Sequence, residues 1–145
     1  VMRALKTLNR ALTAEERDAV AVVSAAKELM EAVAASVLKD RWYTDEQIDK
    51  LQFKDRCVEA HKALGVIENT GAGAMADGLN LVRKGLSKAL EAVRKMRSEE
   101  ALAGHGNHRV GEVSGADAQL AVDTCRAWCR YILELHRTAP EPAPF

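Results

Sequence analysis

The sequence predicts an all-α fold, on three observations. Alanine, leucine and valine dominate the 48% of residues that are hydrophobic while aromatics reach only 4%, a mixture that suits close-packed helices better than a β-sandwich. Apolar side chains recur at three- and four-residue steps over long stretches, the period of a helix buried along one side. Serine or threonine followed three positions later by an acid or amide marks several helix starts. Together they predict an up-and-down bundle of four main helices plus a short N-terminal helix. A chain of 145 residues is long enough to bury a core within one domain.

The elements follow in order. Residues 3–12 read as a short amphipathic helix. Thr13 and Glu16 have capping-box spacing, so a second helix is expected to start there. Along it Ala19, Val20, Val23, Ala26, Met30, Val33, Val37 and Leu38 form one broad apolar stripe to about residue 39, which makes it the central core helix. Thr44 with Gln47 caps a third helix over 45–64, with Ile48, Leu51, Val58 and Leu64 as its apolar positions and Gly65 as its stop. The fourth runs over 75–102 through Leu79, Val82, Leu86, Leu90, Val93 and Met96, with a basic polar face of Arg83, Lys84, Lys88, Arg94, Lys95 and Arg97. Ser114 with Asp117 opens the last helix, to which Leu120, Val122, Trp128, Ile132 and Leu135 bring apolar bulk. Residues 1–138 are expected to form the domain, and 139–145, which hold all three prolines, a flexible tail. The opening "VMRALKTLNRAL" has no obvious start, as expected of either an expressed fragment or a domain cut from something longer.

Composition excludes several classes. No stretch approaches the roughly 18 apolar residues of a membrane span, and no secretion signal is evident, so the expected location is cytoplasmic, without a membrane partner. Cys57, Cys125 and Cys129 are odd in number and lack CxxC spacing, which predicts reduced, partly buried thiols. The glycines of "GVIENTGAGAMADG" lack the Lys-Ser/Thr ending of a P-loop and no strand precedes them, which argues against nucleotide binding there. No internal repeat suggests a solenoid. Trp42 and Trp128 read as core or interface anchors rather than base-stacking platforms. The formal net charge is +0, yet residues 11–60 carry seven basic and eleven acidic side chains and residues 81–110 seven basic and three acidic, a polarity hidden by the total.

Four constellations could carry chemistry. Arg94 and Arg97 end the fourth helix, and His105 and His108 follow in a loop where Gly104 and Gly106 flank His105. Arginine grips phosphate with a planar fork and histidine moves protons near neutral pH; the plainer alternative is a helix-ending loop with solvated basic groups. Second, His105 and His108 with Cys125 and Cys129 form a loose zinc ligand set. Third, Arg130 and His136 stand six residues apart, roughly 120° around the helix, and share a face poorly; a solvated helix end in which His136 and Arg137 complement the dipole accounts for them better. Fourth, Glu28 and Glu31 lie beside Lys27 on the second helix, where a carboxylate is either plain surface or faces the arginines across the bundle.

Taken together, "ERDAVAVVSAAKELMEAVAASVL", the "KALG" turn, "GLSKALEAVRKMRSEEALAGHGNHRV" and "ADAQLAVDTCRAWCRYIL" resemble, over about residues 5–136, the abortive-infection C-terminal-like (Abi-C-like) domains of the HEPN superfamily, helical bundles of prokaryotic defence and toxin systems. The most specific part is the arginine-bearing helix end leading into His-Gly; Ala-Lys-Glu-x-x-Glu at 26–31 supports it. The resemblance implies a metal-independent endoribonuclease without a cofactor, in which Arg97 grips the scissile phosphate and His105 supplies acid-base chemistry. It also implies a supporting role for Glu31 and a homodimer that brings two motifs together. Arg94, His108, Arg109, Arg83, Lys84 and Lys88 are the expected supporting or RNA-binding residues. Seven residues separate Arg97 from His105, where the family usually has four to six, and Ser98 and Ala35 stand where the family often has asparagine and lysine. The competing function is a non-catalytic bundle that dimerises, binds RNA or senses an antitoxin or another defence-system subunit, as one module of a longer protein.

Overall fold

The computed structural model describes residues 1–14, 18–65, 73–103 and 114–140, with backbone alone at 94 and 96–103. Six helices are present among them: α1 (Met2–Thr13), α2 (Ala19–Asp40), α3 (Asp45–Asp49), α4 (Phe53–Ala63), α5 (Ala74–Ala103) and α6 (Gly115–Thr138). The predicted all-α bundle is what the chain forms. α2 is its axis and packs against each of the other five helices.

α2 can hold that position because it is apolar almost all round. Beside the predicted Val23, Ala26, Met30, Val33, Val37 and Leu38 it also buries Val22, Ala25, Leu29 and Ala34, while Val20 stays exposed. Valine is a modest helix former, and burial overrides that preference here. The helix does not begin at Thr13. Thr13 is the last residue of α1 and its Oγ1 donates to the Asn9 carbonyl at 3.0 Å; the N-cap is Asp18, whose carboxylate accepts from the Val20 N–H at 3.0 Å. Glu16 lies outside the described residues. At the other end the Trp42 N–H bonds to the Lys39 carbonyl and the Tyr43 N–H to the Leu38 carbonyl, both at 3.1 Å. This is a Schellman stop, and Trp42, at φ 71, occupies the left-handed position that usually falls to glycine.

The predicted third helix is two helices. Thr44 and Gln47 do form a capping box, but α3 ends at Asp49 and α4 starts at Phe53. On one straight helix Ile48 and Leu51 would face opposite to Phe53, Cys57, Ala60 and Leu64, about 180° away at 100° per residue. The break lets Ile48 as well as Cys57 and Ala60 be buried, and it leaves Val58, predicted on the apolar face, 41% exposed. Arg56 satisfies the carbonyls freed by the break, donating from Nη2 to Ile48 at 3.0 Å and Leu51 at 3.1 Å. Tyr43 donates to Glu59 at 3.2 Å, which fastens α4 to the end of α2. Burial and the adjacent Glu59 hold the Tyr43 hydroxyl above its ordinary pKa. Gly65, at φ 68, ends this segment as predicted.

α6 starts at the predicted Ser114/Asp117 capping box. Its inward face is Ala118, Ala121, Val122, Cys125, Trp128, Cys129 and Ile132, while Leu120, on the opposite side, is 67% exposed. The C-terminal end is tied to the end of α2, since His136 Nε2 lies 3.1 Å from Asp40 Oδ2 and Arg41 Nη1 donates to the Pro140 carbonyl at 2.6 Å. Thus His136 has a partner across the bundle and is not simply solvated. Residues 141–145 of the proline-rich segment lie outside the described residues, as do 66–72 of the glycine-rich one. No helix among the described residues is long and apolar enough to cross a membrane.

Candidate functional site

α5 carries most of the predicted site, and its register decides what can act together. Lys84, Lys88 and Lys95 are exposed and fall within about 40° of one another around the helix, a single cationic stripe. Lys95 Nζ stands 3.9 Å from Glu91, a surface pair worth little. Position 97 is elsewhere. It comes one turn after the buried Val93 and about 140–180° around the helix from the lysines. The predicted basic face is therefore not one stripe: the exposed lysines share one side of the helix and position 97 falls on another. The side chains of Arg94 and Arg97, and residues His105, His108 and Arg109 entirely, lie outside the described residues.

Arg83 is not part of the lysine stripe. Its Nε donates to the Tyr131 hydroxyl at 3.0 Å, so α5 is hydrogen-bonded to α6 there. Tyr131 meets the edge of His61, ring centroids 6.4 Å apart. His61 in turn stacks on Trp128 at 5.9 Å with its Nε2 accepting from Trp128 Nε1 at 3.0 Å. A nitrogen that accepts carries no proton, so this geometry needs the Nε2 position of His61 unprotonated. The chain Arg83, Tyr131, His61, Trp128 ties α5, α6 and α4 together around the fully buried indole. Sequence reasoning did not single out His61. Its signal was available: Phe53, Cys57, Ala60, His61 and Leu64 share one helical face, and a histidine in such a row points inward.

Glu31 is half-buried beside Lys27, 3.4 Å from its Nζ. That ammonium also sits over the Phe53 ring, 5.1 Å from its centroid, so the Ala-Lys-Glu-x-x-Glu run of α2 clamps α4. Glu28 is exposed. Arg130 is exposed and His136 is engaged with Asp40; the structure does not bring them together.

The three thiols are free and buried, where partial burial was expected. Burial pushes each of Cys57, Cys125 and Cys129 up to about 12. No group of three or more metal-binding side chains occurs among the described residues; His105 and His108, the other half of the zinc set, lie outside them.

Among known proteins, a family model described as a HEPN-like domain, Abi_C, matches residues 3–136. No curated protein and no solved structure matches the chain. The match runs from the first turn of α1 to the last turn of α6 and takes in both Arg97 and His105. The chain belongs to this family of HEPN-like domains.

Proposed function

We propose that this domain is a metal-independent endoribonuclease of a prokaryotic defence or toxin system, with Arg97 and His105 as its reacting pair. The observation that carries the reading is the family match over residues 3–136, because it includes the arginine-bearing end of α5 and the histidine segment that follows. The exposed stripe of Lys84, Lys88 and Lys95 supports it by attracting the phosphate backbone. Arg97 binds the scissile phosphate, His105 moves the proton, and the neighbouring ribose 2′-hydroxyl attacks to leave a cyclic phosphate. Arg94, His108 and Arg109 hold the flanking RNA, and Glu31 supports the site from α2. The decisive experiment incubates the protein with total RNA in EDTA beside Arg97→Ala and His105→Ala. Cleavage by the parent that falls at least about 100-fold in both variants is expected from loss of acid-base and charge stabilisation. Cleavage that is absent, or equal in the variants, refutes the assignment.

One observation favours a second reading, a non-catalytic module that pairs with a copy of itself, an antitoxin or another defence-system subunit. Met75, Leu79 and Val82, on one face of the first turns of α5, are 88, 46 and 68% exposed, an apolar surface of the kind buried by association. Sedimentation of Val82→Glu against the parent tests it: a parent dimer that the variant converts to monomer, together with inert RNA assays, supports this reading over the first.

A further inference from the structure

Between α4, α5 and α6 lies a half-open pocket of about 180 Å³ lined by Phe53, Cys57, His61, Leu90 and Trp128, with Lys54, Ser87, Lys88 and Glu91 among its polar lining residues. Its origin is topological. α4 packs on α2, and α5 packs on α2 and α6, but α4 and α5 form no substantial contact with each other among the described residues. The space left between them is floored by the buried Trp128, Leu90 and Cys57. An apolar cavity of about 150 Å³ holds one benzene, so the volume suits a single ring with a small substituent and nothing much larger. Lys54 and Lys88 are exposed and take part in no ion pair among the described residues, whereas the Glu91 carboxylate has Lys95 at 3.9 Å. The polar lining is therefore net cationic over an aromatic and aliphatic floor that includes the Cys57 thiol.

We propose that this pocket binds a small aromatic acid, its one ring seated against Phe53, Leu90 and Trp128 and its carboxylate held by Lys54 and Lys88. The inference is independent of RNA cleavage. The bound acid bridges α4 and α5, which pack chiefly on other helices, and so joins α4 to the helix whose far end carries position 97, about 13.5 Å beyond Lys88 along the axis. Binding to the folded state alone also raises the thermal midpoint with ligand concentration.

The test titrates the full chain with benzoate and, as the uncharged counterpart, benzyl alcohol, reading the Trp128 indole N–H by NMR with Trp42→Phe to assign it. Benzoate is expected to shift that signal saturably and to raise the midpoint. Benzyl alcohol, and benzoate with the Lys54→Ala/Lys88→Ala variant, should bind about two- to ten-fold more weakly, as one or two exposed ion pairs permit. Ser87→Phe, which places a ring in the pocket mouth from an exposed helix position, should abolish the shift while leaving the rest of the spectrum folded. No saturable shift with benzoate overturns the proposal, as does equal affinity for acid and alcohol, an unchanged preference in the double lysine variant, or benzoate binding that survives Ser87→Phe.

Discussion

Replacing Cys125 by alanine should reverse its effect on stability between neutral and alkaline pH. Cys125 is 0% exposed, so at pH 7 the substitution removes a buried sulfur and costs about 1 kcal/mol, the low end of core truncations. Burial raises the thiol from an ordinary 9.0 to about 12. An acid whose folded pKa is raised binds its proton more tightly in the native state; its contribution is fully present below pH 9, declines above it, and is spent by pH 12. With 1.36 kcal/mol per pH unit, the loss from this one thiol sets in near pH 9 and reaches about 2 kcal/mol by pH 10.5. Alanine has no proton to lose. The variant should therefore start less stable at pH 7, match the parent between pH 9 and 10.5, and be the more stable protein by about 1 kcal/mol at pH 10.5. Tyr43, also raised by burial, weakens both proteins alike and cancels in the difference. Urea unfolding at each pH, under reducing conditions so that the thiols stay free, reads the two curves. A stability difference constant from pH 7 to 10.5 would refute the reasoning, because it would mean that Cys125 ionises as readily in the fold as in the unfolded chain.

Two further outcomes test the packing. Arg56→Met keeps the alkyl stem but leaves the Ile48 and Leu51 carbonyls without their shared donor, and should cost about 1.5–3 kcal/mol in urea denaturation, as expected for hydrogen bonds from a charged group; a neutral result would mean that water replaces the guanidinium at the α3/α4 break. On α6, Leu120→Ser should change stability by less than about 0.5 kcal/mol whereas Ile132→Ala, at 0% exposure, should cost about 2–5 kcal/mol, and comparable effects at the two positions would contradict the assigned inward face.

Much of the site's register could have been read before the structure. Spacing alone sets position 97 with Leu90 and Val93 and apart from Lys84, Lys88 and Lys95, because a helix turns 100° per residue whatever surrounds it. The role of Arg83 could not: whether an arginine in a basic run meets solvent or a tyrosine depends on which helix passes beside it, and Tyr131 is 48 residues away. His61 was half legible. Its place on the apolar face of α4 marks it as inward, but nothing local says that a tryptophan 67 residues on will donate to it.

Local chemistry by itself determined the Thr44 and Ser114 caps and the Gly65 stop, since each rests on interactions within about four residues, and the apolar periodicity of the sequence set the helical class and marked α2 as the helix to be buried. Tertiary packing decided the rest. The chain breaks at 50–52, without glycine or proline, because two apolar faces on opposite sides of one helix cannot both reach a single core. α2 is followed by a left-handed tryptophan at φ 71, a position that nothing in the residue type favours, and the next residue, Tyr43, docks on α4 through Glu59. The pocket exists because, among the described residues, α4 and α5 pack chiefly on other helices and not on each other, a gap that no stretch of sequence encodes.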